Sequence, residues 1–371
     1  MIKQNINKSV LILSGFNQRA VISFCRFAKK NNIIFHIVAN NQEDTILMSI
    51  YKEYVIDIRK SNDLSLNDFE KWKLKIEENL VVILPSTEYL NRFILKNRNI
   101  LEKNNYIIPL CESNLYSEIS DKYNFDRLCN KHDIQIPAEY DNPIKYPCVA
   151  KPKHYFTMNN LVLKPVILYS IESYNAFRAN YNSENFYFQE FIQGKSIYLL
   201  FYFSIDGNVS VFSQENLIQQ DQGSSIIAAV SSDYHLEDIT LKYKKMFLEL
   251  GFHGLVMIEI KLFNGQYYMI EANPRLWGPS QLILDSGMNL FNLFMADYGL
   301  LQFSKSNNVY KTGIVYYWSG GIFLDSKNKV SIVFHGDFNQ EKYLQDYCKF
   351  FSSEIYLRED TINIFHYEHK I

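Results

Sequence analysis

Apolar residues in this chain come in two arrangements, unbroken runs and runs spaced three or four apart, and the two alternate. "SVLILSG" (9–15), "IIFHIVAN" (33–40), "EYVIDI" (53–58) and "LVVILPS" (80–86) are short apolar runs ending in polar turns. That is the pattern of strands buried on both faces. Between them, "AVISFCRFAKKNN" (20–32) and the series Leu66, Phe69, Trp72, Ile76 place apolar residues on one helical face. Strands alternating with helices predict a parallel sheet covered on both sides, so residues 1–115 are expected to form a Rossmann-like α/β unit.

The turn "LSGFNQRA" has one glycine, so the G-x-G-x-x-G seat of a dinucleotide pyrophosphate is missing. Ser14, Gly15, Ser86, Thr87 and Glu88 lie in loops after parallel strands. There they either face a substrate or cap the following helices.

From residue 116 the pattern changes. "SEISDKYNFDRLCNKHDIQIP" predicts a helix opened by Ser120 or Asp121 and closed before Pro137. "PCVAKPKHY" (147–155) and "LVLKPVILYS" (161–170) predict strands, and 171–180 a helix. "NFYFQEFIQGKSIYLLFYFSIDGNVSVFSQE" reads as a strand, a glycine break and an antiparallel hairpin turning at Asp206-Gly207. A helix over 236–250 leads into a second hairpin, "GLVMIEIKLFNGQYYMIEANPR", turning at Asn264-Gly265. A further helix and a strand-rich tail to residue 371 follow. The expected class is α/β passing into α+β, in three units: 1–115, 116–195 and 196–371.

Totals narrow the function only slightly. Lys and Arg number 38 against 40 Asp and Glu among 371 residues, so charge gives no push toward nucleic acid or an anionic membrane. No apolar run approaches the roughly 18 residues of a membrane span. "MIKQNINKSVLILSG" reads as a first strand rather than a signal peptide. Cys25, Cys111, Cys129, Cys148 and Cys348 show no metal spacing and suit reduced thiols in a cytoplasmic protein.

The second hairpin carries the chemistry. Glu259 and Glu271 sit in apolar strands, where a carboxylate is costly unless ion-paired or metal-bound. A two-residue Asn264-Gly265 loop would pair Glu259 with Ile270 and turn Glu271 to the opposite face. A three-residue loop, Phe263-Asn264-Gly265, would pair Glu259 with Met269 and leave Glu271 on the same face, about 7–8 Å away diagonally. That spacing suits two carboxylates sharing magnesium ions, with manganese as a substitute. Asn273 would continue the face as a neutral oxygen ligand, and Arg275 would bring positive charge to a phosphoryl oxygen.

With "MIEI…MIEANPR" the sequence resembles the ATP-grasp superfamily, most closely its carboxylate–amine ligases and carbamoyl-phosphate-synthase-like branch. The resemblance spans nearly the whole chain and implies a Rossmann-like first domain, a small lid domain and a C-terminal domain with metal-binding carboxylates. It implies that Lys122 ("SDKYNF") and Lys151 ("CVAKPK") reach the phosphates of ATP. In "FQEFIQG" it implies that Gln189 and Glu190 face the adenine amino group while the backbone of Phe191 and Ile192 bonds the ring edge. It implies Glu259, Glu271 and Asn273 as magnesium ligands and Arg275 as the transition-state arginine, with Lys151 and Arg275 catalytic.

Two departures stand out. The lid loop "KHYFTMNN" has no glycine, which leaves Lys153, His154, Lys164 or side-chain amides to grip phosphate. Ser196 occupies the position that often holds a ribose-binding acid. The activity implied is ATP-dependent activation of a small-molecule carboxylate as an acyl phosphate, followed by amide formation with an amine. The polar segment 213–230 is expected to hold the carboxylate, with Trp277 and the Rossmann-like loops on the amine side. The tail beyond 300 either completes the last domain or forms a homodimer contact. A kinase acting on a hydroxyl and a non-catalytic nucleotide binder are the alternatives.

Overall fold

The computed structural model describes residues 7–61, 63–142, 145–154, 163–302, 309–323 and 331–370. Three sheets organise them. The first has five parallel strands, β1 (Lys8–Leu13), β2 (Phe35–Ala39), β3 (Val55–Ile58), β4 (Leu80–Ile83) and β5 (Tyr106–Ile107), in the order β3-β2-β1-β4-β5. Its core strands β1 and β4 are buried almost throughout, as their unbroken apolar runs require.

The second sheet is a small antiparallel one, β6 (Glu139–Tyr140), β7 (Cys148–Pro152), β8 (Val166–Leu168) and β9 (Phe186–Glu190), in the order β6-β9-β7-β8. It has its own core of Cys148, Ala150, Leu168, Phe177, Phe186 and Phe188. The strand expected over 161–170 is only three residues long, because Pro165 has no N–H to give a ladder. Residues 161 and 162, and 155–160 of the predicted lid loop, lie outside the described residues.

The third sheet has seven strands: β10 (Lys195–Phe203), β11 (Val209–Gln220), β12 (Ile226–Ser232), β13 (Gly254–Phe263), β14 (Gln266–Asn273), β15 (Val315–Tyr317) and β16 (Ile332–Phe334). They run β14-β13-β10-β11-β12-β15, and β16 pairs with β11. Residues of the first sheet and the third share two continuous apolar cores. Those two parts are therefore packed as one body, and the small sheet is the separate piece.

One expectation is refined here and one is corrected. The helix opened by Ser120 or Asp121 is Lys122–Lys131 with Asp121 at the N-cap position, and a separate helix, Ser113–Ser120, precedes it. Asp121 between them turns its carboxylate to Arg92 at 2.8 Å instead of capping. The tail is mainly helical rather than strand-rich, with helices Gln340–Gln345, Tyr347–Ser352 and Ile362–His369. No helix among the described residues is long and apolar enough to cross a membrane.

Candidate active site

The hairpin β13–β14 takes neither of the two expected registers. Its loop is the two-residue one: Phe263 pairs with Gln266, and Asn264 and Gly265 have φ of +49° and +75°, as a type I′ turn requires. Pairing continues through Ile260 opposite Met269, then slips, and Glu259 pairs with Glu271. Ile270 is thus the extra residue of a β-bulge. The bulge returns Glu271 to the face of Glu259, closer than the diagonal arrangement would have placed it. The carbonyl of Ile270 accepts a 2.8 Å bond from Lys151 Nζ.

Both carboxylates line a cavity of about 350 Å³ between the small sheet and the third sheet. Lys122, at the start of its helix, ion-pairs with Glu271. Burial alone would push the Glu271 carboxyl up, but the Lys122 ammonium outweighs it and holds Glu271 well below the ordinary carboxylate range. The same pairing holds Lys122 above its ordinary value against burial. Glu259 behaves oppositely. Burial raises it, and its nearest cation, Lys261, is 4.0 Å away. Burial makes Lys261 itself less basic.

A chain of hydrogen bonds ends on Glu259. Gln214 Nε2 donates to Asn216 Oδ1 at 2.7 Å, Asn216 Nδ2 to Ser196 Oγ at 3.0 Å, and Ser196 Oγ to Glu259 Oε1 at 3.2 Å. The Ser196 hydroxyl is therefore fully buried and engaged with the carboxylate, and it is not in the cavity wall where a ribose contact was expected. Gln214 and Asn216 alternate in β11, and a period-two reading of polar residues in that strand could have found them.

Asn273 donates from Nδ2 to Glu271 Oε1 at 2.7 Å and accepts from Arg275 Nη2 at 3.1 Å. Neither Asn273 nor Arg275 forms the cavity wall itself, but the contacts tie both to Glu271. Arg275 also faces Glu88 of the first unit, a carboxylate raised by burial and held by Arg92 at 2.9 Å. Of the loop residues expected to face substrate or cap helices, Thr87 caps its helix and Ser14 and Ser86 are buried. Glu88 is the one whose charge reaches the site.

The same cavity is lined by Gln189, Glu190, Phe191 and Ile192. The neighbours Gln189 and Glu190 do not act together. Gln189 is fully buried with Nε2 on Asp126 Oδ2 at 2.8 Å, and Glu190 pairs with Lys145 at 3.3 Å. Lys151 is made less basic by burial, against the charge of Asp126. Asp126 and His335 escaped the sequence reading. His335 follows β16 in the tail, lines the cavity, and touches Lys261 Nζ at 3.2 Å and Gln219 Oε1 at 2.8 Å. Burial, then the Lys261 charge, pushes it down to about 3. No local sequence signal marks it. Trp277 is buried in the core rather than on an amine side.

Among the described residues no cluster of three His, Cys, Asp or Glu forms. Two carboxylates with a neutral amide nevertheless make a hard-oxygen donor set suited to magnesium. The weakly compensated Glu259 is the place a divalent cation would neutralise, so the residues fit the metal.

Residues 119–279 match the family model described as the ATP-grasp domain. Over that segment the chain is similar to the ATP-grasp family. No curated protein matches it. Among solved structures, a biotin carboxylase in a β-γ-ATP complex from Campylobacter jejuni is similar, with TM-score 0.61 and 14% identity over 83% of this chain and 74% of that one. The biotin carboxylase domain dimer of Hydrogenobacter thermophilus 2-oxoglutarate carboxylase, with MgADP, ADP and bicarbonate, gives 0.61 and 13% over 81% and 72%. An ADP complex of purK, N5-carboxyaminoimidazole ribonucleotide synthetase, gives 0.63 and 15% over 93% and 96%. At these identities the ATP-grasp likeness is one of fold.

Proposed function

We propose that the protein is an ATP-dependent ligase that activates a substrate carboxylate as an acyl phosphate and passes it to an amine, releasing ADP and phosphate. The observation that carries this reading is the directly paired Glu259 and Glu271 on the wall of a cavity that Lys122 and Lys151 also line. The solved relatives with ADP support a nucleotide in that cavity.

In this reading the backbone of Phe191 and Ile192 bonds the adenine edge, and Lys151 meets the phosphates. Glu259, Glu271 and Asn273 would hold magnesium, which supplies charge neutralisation at the γ-phosphate. Lys122, released from Glu271, turns to the phosphate oxygens. Arg275 stabilises the charge that develops as the substrate carboxylate attacks. No protein nucleophile is needed, because positioning and electrostatics carry the step. Gln219, Gln220 and Gln222 line the same cavity, so the segment 213–230 borders the nucleotide there.

The test is ADP release from magnesium-ATP with pooled amino acids, with and without hydroxylamine. Carboxylate-dependent ADP and a hydroxamate are expected. ADP with a phosphorylated product that survives hydroxylamine would replace the ligase by a kinase.

A further inference from the structure

The carboxyl ends of β1, β2 and β3 hold a cation that the reaction above does not use. Arg59 follows β3 and is only 7% exposed. Its Nη2 donates to Ser14 O at the end of β1, at 3.2 Å, and to Asn40 Oδ1 after β2. Its Nε and Nη1 are buried with no hydrogen-bond partner among the described residues. Asp44 is the acid whose field Arg59 feels most, but that carboxylate is occupied elsewhere. Oδ1 accepts from Ser14 Oγ at 3.1 Å and Ile46 N at 3.0 Å, and Oδ2 from Asn40 N at 2.8 Å. Arg26 and Arg92, also largely buried, each have a carboxylate within 2.9 Å. A buried guanidinium stays charged, and leaving its donors open is costly. A bound anion would complete it.

The location points the same way. The sheet reverses between β1 and β4, and ligands of such sheets bind outside the carboxyl ends at the reversal. The loop whose Ser14 carbonyl holds Arg59 continues to Asn17, which donates to Ser86 O at 3.1 Å and Leu276 O at 3.0 Å. Leu276 is next to Arg275, so a molecule lying along residues 15–17 has Arg59 at one end and Arg275 at the other. Phe16 screens the cation, its ring centre 5.9 Å from the guanidinium carbon, yet Phe16 is 53% exposed. Turning it would open the face of the guanidinium that Phe16 covers. Gly15 has φ +117°, and a Cβ there would lie 2.2 Å from Asn40 Cβ. Only glycine lets the loop lie this close to the residue that Arg59 grips.

We propose that Arg59 anchors an oxyanion, carboxylate or phosphate, carried by the acceptor substrate away from its reacting group. The anion site stands on its own geometry; that the anion belongs to the acceptor rests on the ligase reading. Charge-assisted bonds from the open N–H groups would fix the substrate's orientation.

The full chain is titrated calorimetrically with inorganic phosphate and, separately, with acetate. Wild-type protein is compared with Arg59→Met and Phe16→Ala, with ADP binding as the control. Wild type should bind one of the two anions, and which one it binds identifies the group. Arg59→Met should weaken that binding about tenfold or more, leaving ADP binding unchanged. Phe16→Ala, which uncovers the cation, should tighten it. Wild type binding neither anion, or both variants binding as wild type does, overturns the site. Anion binding through Arg59 in a protein that releases no ADP would overturn the ligase reading and leave the site standing.

Discussion

Glu259 stands directly opposite Glu271 because Ile270 is left out of the ladder between them. Were Ile270 paired into the ladder instead, Glu271 would turn to the far face, since strand side chains alternate. The substitution Glu271→Gln should lower ADP release by roughly a hundredfold or more. ADP formation at the wild-type rate in that variant, measured by a coupled assay, would reject the metal-site assignment.

Lys151 brings a buried ammonium to the same bulge through Ile270 O, at 2.8 Å. Its removal takes away both a charge for the phosphates and the tie between β7 and β14. Lys151→Ala is expected to weaken ADP binding by about tenfold or more, or ~1.4 kcal/mol, as read by calorimetry. An unchanged dissociation constant would remove Lys151 from the nucleotide site.

Asp126 decides which way round the amide of Gln189 sits. Its Oδ2 accepts from Tyr187 Oη at 2.6 Å and Gln189 Nε2 at 2.8 Å. A carboxylate only accepts, so Gln189 must present its NH₂ there and keep Oε1, which has no partner among the described residues, as the open acceptor. Adenine offers an amino group to such an acceptor; hypoxanthine offers a carbonyl. Asp126→Asn permits either amide orientation and should reduce the preference for ATP over ITP by about tenfold. An unaltered ratio of kcat/KM values would show that Asp126 has no part in base selection.

Glu368 gives the fold a pH dependence far from the nucleotide. Burial lifts its carboxyl to about 7 from 4.5, helped by the charge of Glu354 and opposed by the bond from Trp318 Nε1, at 3.0 Å. The folded state therefore keeps a proton that the unfolded chain loses above 4.5, so stability falls as pH rises from 4.5 through about 7. Glu368→Gln keeps an acceptor for Trp318 and removes the titration. It should raise stability at pH 8 relative to wild type, by up to about 3 kcal/mol, with little gain at pH 5. Equal effects at both pH values in urea melts would show that Glu368 does not titrate in this range.

The order of strands and helices in the first unit was legible because buried parallel strands are unbroken apolar runs. The hairpin acids were legible because carboxylates are rare in such runs. Their register was not, since a bulge at Ile270 leaves no mark on composition and either loop length at Asn264-Gly265 obeys the turn rules. The role of Ser196 was missed because a buried serine owes its partner to neighbouring strands. His335 reaches the cavity only because β16 joins β11 after a long excursion in sequence, and Arg59 becomes notable only once its nitrogens are counted. Local chemistry can be read from local sequence, whereas contacts closed over a hundred residues cannot.

Arg26, in the helix after β1, donates to Asp360, Thr361, Ile355 O and Gln281, and Asp360 in turn accepts from Tyr51 Oη at 2.8 Å. Phe24 and Phe27 of that helix share a core with Phe291, Ile364 and Phe365. That helix cannot bury this face until residues between 281 and 365 are in place. The first unit, for all its self-contained appearance along the sequence, is closed by side chains from the far end of it.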